Sequence, residues 1–228
     1  MTRTTSRAPL SRERVLTAAV GIADREGLSA VTMRRLATVL HVEAMSLYHH
    51  LPGKEALLDG LVVSIAHEIE AEIGQLPLVS GWRPALRQRC LAARLVMVRH
   101  AWAPSLIGSR PAIPTALFLH FEATLATLVG GGFSYHLAHR AMHALGSMTL
   151  GFVQELFSPA AGDGADDQSA AQLAQMAAML PHVTAMVASE VHAHDGDTLG
   201  WCDSQAEFEF TLDLLLDGLE RKRRAETL

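Results

Sequence analysis

The residues best suited to chemistry lie between Thr32 and Leu51, in the run TMRRLATVLHVEAMSLYHHL. Leu47 and Leu51 are spaced to anchor a short helix, which leaves Ala44, Met45, Ser46, Tyr48, His49 and His50 on its outer and flanking faces. Small Ala44 and Ser46 permit close approach to base edges in a DNA major groove, and Met45 can touch a thymine methyl. Tyr48 and His49 can reach phosphates or bases. Lys54 opens the next helix, where a phosphate would meet free backbone N–H groups and an ammonium charge together. This is the chemistry of recognising a polyanion, not of making or breaking bonds.

Other reactive residue types form no comparable set. Among twelve histidines, His136, His139 and His143 stand at i, i+3 and i+7 on one predicted helix, but no acid or cysteine completes a four-ligand site. A dimer-face or pocket-lining role is the expectation there. His192, His194, Asp195 and Asp197 carry suitable donors, yet their segment reads as a solvated acidic loop. No metal and no cofactor are therefore expected. Cys90 falls on an apolar helical face, and Cys202 has no basic neighbour to make it reactive. The chain contains no G-x-S-x-G, no G-x-x-x-x-G-K-[ST], no H-E-x-x-H and no G-x-G-x-x-G, so it is read as no enzyme.

The elements that must position Thr32–Leu51 are helices. Residues 1–10 read as a flexible basic arm. Ser11 caps a first helix that Gly27 stops, Thr32 caps a second, and His41-Val42-Glu43 forms the turn into a third. Leu51-Pro52-Gly53 ends that helix, and a long helix follows from Lys54 to Ile73. Beyond it the pattern predicts Trp82–His100, with Leu86, Cys90, Leu91, Leu95 and Val98 on one side, then short pieces broken by Pro104, Pro111 and Pro114. Helices over 114–130 and 134–157 precede an acidic loop over 159–168, a helical segment containing Pro181, and a terminal helix capped by Ser204. Strand signals are absent, so the expected class is all-α. The domains expected are the arm, a helix-turn-helix head over 11–56 joined by the long helix, and a helical-bundle domain for ligand binding and dimerisation over 57–228.

Composition agrees once it is divided. The 228 residues carry a formal charge of −5, which taken whole argues against nucleic acid. Residues 1–55, however, hold eight Lys/Arg against five Asp/Glu, or +3, and the remainder is −8. A basic head on an acidic body points to a polyanion partner confined to the first quarter of the chain. No signal peptide is evident, and the apolar stretch Thr115–Val129 is broken by His120 and Glu122, so a soluble, cytoplasmic protein with no membrane contact is expected.

Residues 11–60, in VTMRRLATVLHVEAMSLYHHLPGKEALLDGL and above all SLYHHLPGKEALLD, resemble the DNA-binding domain of the TetR repressor family. Gly81-Trp82, Ile107-Gly108-Ser109-Arg110-Pro111, Gly132-Phe133, Thr149-Leu150-Gly151-Phe152 and the ending around Phe208–Leu219 are similar to the tetracycline-repressor type of C-terminal domain. The resemblance implies a homodimeric repressor that a small-molecule inducer releases from a palindromic, double-stranded operator. It also implies DNA-binding roles for Thr32, Met33 and Arg34, beside Ala44, Met45, Ser46, Tyr48, His49, His50 and Lys54. Arg34 would read guanine O6 and N7. Glu70, Arg89, Ala93 and Leu106 stand where the tetracycline repressor holds its drug and magnesium, so that ligand is not expected.

The expected pocket is apolar and soft. Candidates are Leu95, Met97, Trp102, Leu106, Phe118, Phe121, Met142, Met148 and Phe152, with His100, His120 or His143 as polar handles. Phe208, Leu212, Leu215 and Leu219 form an apolar stripe on the terminal helix and are the expected dimer contacts. Alternatives left open are an activator or a ligand-independent regulator of the same fold, a helical-bundle interaction protein, and a histidine-dependent enzyme.

Overall fold

The computed structural model describes residues 9–152, 177–191 and 204–226, and every regular element among them is helical. In chain order these are α1 (Arg12–Glu26), a 3-10 turn (Leu28–Ala30), α2 (Met33–Leu40), α3 (Ala44–Tyr48), α4 (Lys54–Gln75) and α5 (Trp82–Arg99). Then come α6 (Ala103–Ser109), α7 (Thr115–Gly130), α8 (Tyr135–Gly151), α9 (Pro181–Val191) and α10 (Ser204–Glu226). Hydroxyls start three of them as their residue types dictate. Ser11 accepts from the Arg14 N–H at 3.2 Å, Thr32 from Arg35 at 3.1 Å, and Ser134 from Leu137 at 3.1 Å. The acidic loop over 159–168, the His192–Asp197 segment and Cys202 lie outside the described residues.

The chain divides into two compact units, Met1–Val153 with Leu212–Leu228, and Gln154–Thr211. In the first, one apolar cluster runs through Val15, Ile22, Leu36, Leu47 and Leu61 and takes in Leu106 of α6 and Leu117 of α7. Leu106 of α6 and Leu117 of α7 thus pack into the core of the head. A second cluster joins Ile65 and Ile69 of α4 to Ala93, Val96 and Met97 of α5. The turn between α7 and α8 depends on glycine. A Cβ on Gly131 would lie 2.5 Å from Trp82 Cβ, and Trp82 is itself held edge-on against Phe133 at 4.7 Å. In the second unit α9 starts at Pro181, so this proline opens a helix rather than sitting inside one.

Three expectations about helix faces change. On α5 the buried line is Leu86, Cys90, Ala93 and Met97, while Leu95 and Val98 are half exposed. Alanine on a crowded face gives a weaker hydropathy signal than leucine on an open one. Pro104 begins α6 instead of breaking it, because a helix's first turn needs no N–H from that residue. On α10, Phe208, Leu212 and Leu219 are buried within the single chain and Leu215 is half-buried. The apolar residues this helix leaves open are Phe210 and Leu214, 62% and 55% exposed.

Candidate DNA-contact surface and regulatory cavity

The turn between α2 and α3 is built from backbone hydrogen bonds. His41 adopts a left-handed conformation (φ 53°, ψ 52°), its N–H donating to Thr38 O, while the Val42 N–H reaches back to Ala37 O at 3.0 Å. That 6→1 and 5→2 pairing is a Schellman closure, and it turns the chain sharply enough to start α3 at Ala44. Leu47 is fully buried under α3, so the opposite face must be outward. Met45 is 73% exposed and Tyr48 44%, His49 is exposed, and Ala44, Ser46 and His50 are half-buried. The helix ends at Tyr48, so His49 and His50 sit in the following turn rather than on α3.

Two adjacent arginines part company here. Arg35 is clamped by Glu26 through two bonds, Nε to Oε2 at 3.0 Å and Nη2 to Oε1 at 2.7 Å, which raise the guanidinium pKa and lower that of the carboxyl. Arg34, the second residue of α2, is exposed, with no acidic side chain engaging it among the described residues. Thr32 spends its hydroxyl on the cap, and Met33 packs against the head core. Lys54 is exposed at the first position of α4, whose cap residue Gly53 (φ 111°) offers no side chain to the free N–H groups.

Behind the head, polar contacts tie α1 and α4 to α5 and α6. Buried His100 meets Asp24 through Nδ1 at 2.7 Å and Glu68 through Nε2 at 3.0 Å, and the Trp102 indole donates to the same Asp24 at 2.7 Å. Arg99 bonds Glu68 and Glu72. Arg110, at the end of α6, reaches Asp59 and Glu55 at 2.8 Å each, in the first two turns of α4.

Between α4, α5, α7 and α8 lies a cavity of about 130 Å³. Its walls are mainly apolar, including Leu86, Cys90, Met97, Phe121 and Met142, with Ile107 of α6 at one side. Burial pushes the Cys90 thiol up to about 11, so it behaves as a small apolar group. The polar part of the lining is Arg89 and His120 with Thr124 and Thr149. Arg89 donates to Glu70 at 2.6 Å, and His120 stands 2.6 Å from the same carboxylate oxygen. Burial holds the imidazole below its ordinary pKa despite the Glu70 hydrogen bond.

Residues 76–223 match the family model described as the tetracycline repressor-like C-terminal domain, and residues 15–61 match that of the tetR family of bacterial regulatory proteins. The chain belongs to the TetR family of transcriptional regulators. It is 39% identical over 121 residues to the HTH-type transcriptional repressor DrrR1 of Streptomyces coeruleorubidus, covering 50% of this chain and 43% of that repressor. Thus the chain matches under half the length of that relative. With the class C tetracycline repressor of Escherichia coli it shares 30% identity over 218 residues, covering 94% of this chain and 92% of the repressor. Among solved structures it is similar to the TetR family protein ActR of Streptomyces coelicolor in complex with actinorhodin, with TM-score 0.66 and 27% identity over 93% of this chain and 96% of that one.

Against this TetR-type frame, the pocket residues expected from sequence separate. Met97, Phe121 and Met142 line the cavity, as does His120. His100 and Trp102 are taken by Asp24, and Leu106 by the head core. Leu95 and Phe118 are about half exposed, and exposed His143 stands 3.1 Å from His139 on the outer face of α8. Met148 is buried and Phe152 faces Arg94, both away from the cavity. In the sequence, Arg89 and Glu70 stand out only as departures from a drug site. A basic and an acidic residue nineteen positions apart announce no pairing, because they sit on different helices. No helix among the described residues is long and apolar enough to cross a membrane.

Proposed function

We propose that the protein is a homodimeric, ligand-released transcriptional repressor that reads an inverted-repeat operator. The base and phosphate contacts are assigned to Thr32, Met33, Arg34, Ala44, Met45, Ser46, Tyr48, His49, His50 and Lys54. The observation that carries this reading is the contrast between Arg34 and Arg35. Arg35 is locked to Glu26, whereas Arg34, one residue earlier in the first turn of α2, is exposed and paired with no acidic side chain among the described residues. Two copies related by a twofold axis would set their α3 helices in successive major grooves, roughly 34 Å apart. The contact face on the terminal helix is Phe210 and Leu214, in place of the buried stripe.

Release follows from how the cavity adjoins the head. Ile107 faces the cavity, and one turn on Arg110 grips Glu55 and Asp59 at the start of α4. A ligand that fits better when α6 has shifted would drag or loosen that grip and so change the spacing of the two reading heads. The ligand supplies only as much shift as its preference for one arrangement, typically about 1–3 kcal/mol. Relatives include a structure with actinorhodin and repressors named for tetracycline. Glu70, Arg89, Ala93 and Leu106 argue that magnesium-bound tetracycline is not the ligand here. Selection of bound fragments from random DNA tests the proposal: an inverted repeat is the expected product, and failure to enrich any sequence would overturn it.

A further inference from the structure

Of the three histidines spaced along α8, two meet. His139 and His143, one turn apart and both exposed, bring their Nε2 atoms to 3.1 Å, with ring centres 4.6 Å apart and ring planes at 78°. Two rings pointing at each other nitrogen to nitrogen would hold their centres further apart than that, so the two Nε2 bonding directions meet at an angle. One neutral imidazole can donate to the other. An exposed pair gains little from that bond, because water serves each nitrogen about as well. Convergent imidazole nitrogens at i and i+4 on one helix face are instead the arrangement that chelates a transition-metal ion.

The bite of the pair restricts the ion. With metal–nitrogen bonds of about 2.0–2.1 Å, two nitrogens 3.1 Å apart subtend roughly 95–100° at the metal. That is nearer the right angle between neighbouring ligands of a tetragonal ion than the tetrahedral angle of structural zinc. Among the described residues no third histidine, cysteine or acid joins the pair, so the remaining positions fall to water. α8 carries no Asp or Glu whose oxygens would suit magnesium or calcium. We propose that His139 and His143 form an open, two-imidazole site for a divalent copper or nickel ion on the outer face of α8. The absence of metal expected from the sequence rests on the lack of a closed four-ligand set, which an open site does not require. Neither histidine lines the cavity or belongs to α3, so the site is independent of operator reading and of the inducer.

The full-length protein is titrated with Cu2+, Ni2+ and Mg2+ by calorimetry at pH 7.5, beside His139→Asn, His143→Asn and the combined change of both. A further variant, His192→Asn with His194→Asn, removes the other closely spaced histidines of the sequence. Both positions on α8 are exposed, so asparagine should leave the metal-free thermal midpoint unchanged. Removing either imidazole forfeits the chelate, so each single variant should bind Cu2+ and Ni2+ at least about tenfold more weakly. The electron paramagnetic resonance spectrum of the Cu2+ form should show coupling to two imidazole nitrogens, falling to one in each single variant. Saturating Ni2+ ties consecutive turns of α8 together and should raise the thermal midpoint in the wild type but not in the combined His139→Asn and His143→Asn variant. Wild-type affinity in both single variants, or a loss produced by His192→Asn with His194→Asn instead, would overturn the proposal. So would copper coupled to fewer than two imidazoles, one ion shared between two chains, Mg2+ binding as tightly, or no binding of copper or nickel at all.

Discussion

Replacing Arg34 by alanine should lower operator affinity by at least about 30-fold, since each protomer of the proposed dimer loses one bidentate guanine contact of roughly 1–3 kcal/mol. Arg35→Ala removes an equal charge one residue away, yet its guanidinium is committed to Glu26 and should leave affinity within a few-fold of wild type. Fluorescence anisotropy with the selected operator checks both, and equal losses would refute the division of labour. His120 gives a second residue-scale prediction. Burial lowers its folded pKa below the ordinary 6.5, so folded and unfolded chains are both neutral there above that pH. As pH falls below about 6.5 the unfolded chain binds the proton first, and stability drains away until the folded pKa is passed. The urea midpoint should therefore drop further between pH 7.5 and 5.5 in the wild type than in His120→Gln.

At the scale of elements, the helix-turn-helix hinges on one strained residue. A left-handed conformation brings a side chain's Cβ too near the following carbonyl, at a cost of about 1–2 kcal/mol that glycine avoids. His41 occupies that position with an exposed side chain and closes the Schellman turn with its backbone N–H. His41→Gly should therefore raise the thermal midpoint, partly offset by glycine's greater freedom in the unfolded chain. A lower midpoint in calorimetry would show that the histidine side chain contributes something the turn geometry does not require.

In the proposed mechanism the whole molecule couples recognition heads to a cavity and to a second copy. Arg110→Ala releases Glu55 and Asp59 while leaving the α3 surface untouched. It should bind operator within a few-fold of wild type but need more ligand for release, read as a rightward shift of the release curve. An unchanged curve would remove α6 from the coupling. Charged replacement of both exposed residues, Phe210→Glu with Leu214→Glu, should yield monomers in sedimentation. The same change at buried Leu212 and Leu219 should instead unfold the chain, because it places unpaired charge in the protomer's interior.

Much was legible in the sequence because helix starts, stops and turns are local. Ser11, Thr32 and Ser134 cap where their hydroxyls can reach an N–H three residues on, and Leu47 and Leu51, four residues apart, are the apolar pair that turns inward. The all-α class and the outward display of Met45 and Tyr48 follow from that periodicity, while His49 is exposed in the turn after α3. What periodicity could not decide was which of two apolar faces meets which neighbour. Phe208 and Leu212 against Phe210 and Leu214, Leu95 against Ala93, and His100 against His120 are each separated only by how helices distant in sequence pack together. The Arg89–Glu70–His120 cluster has the same origin: three side chains from α4, α5 and α7 become one hydrogen-bonded group only when tertiary packing brings those helices together.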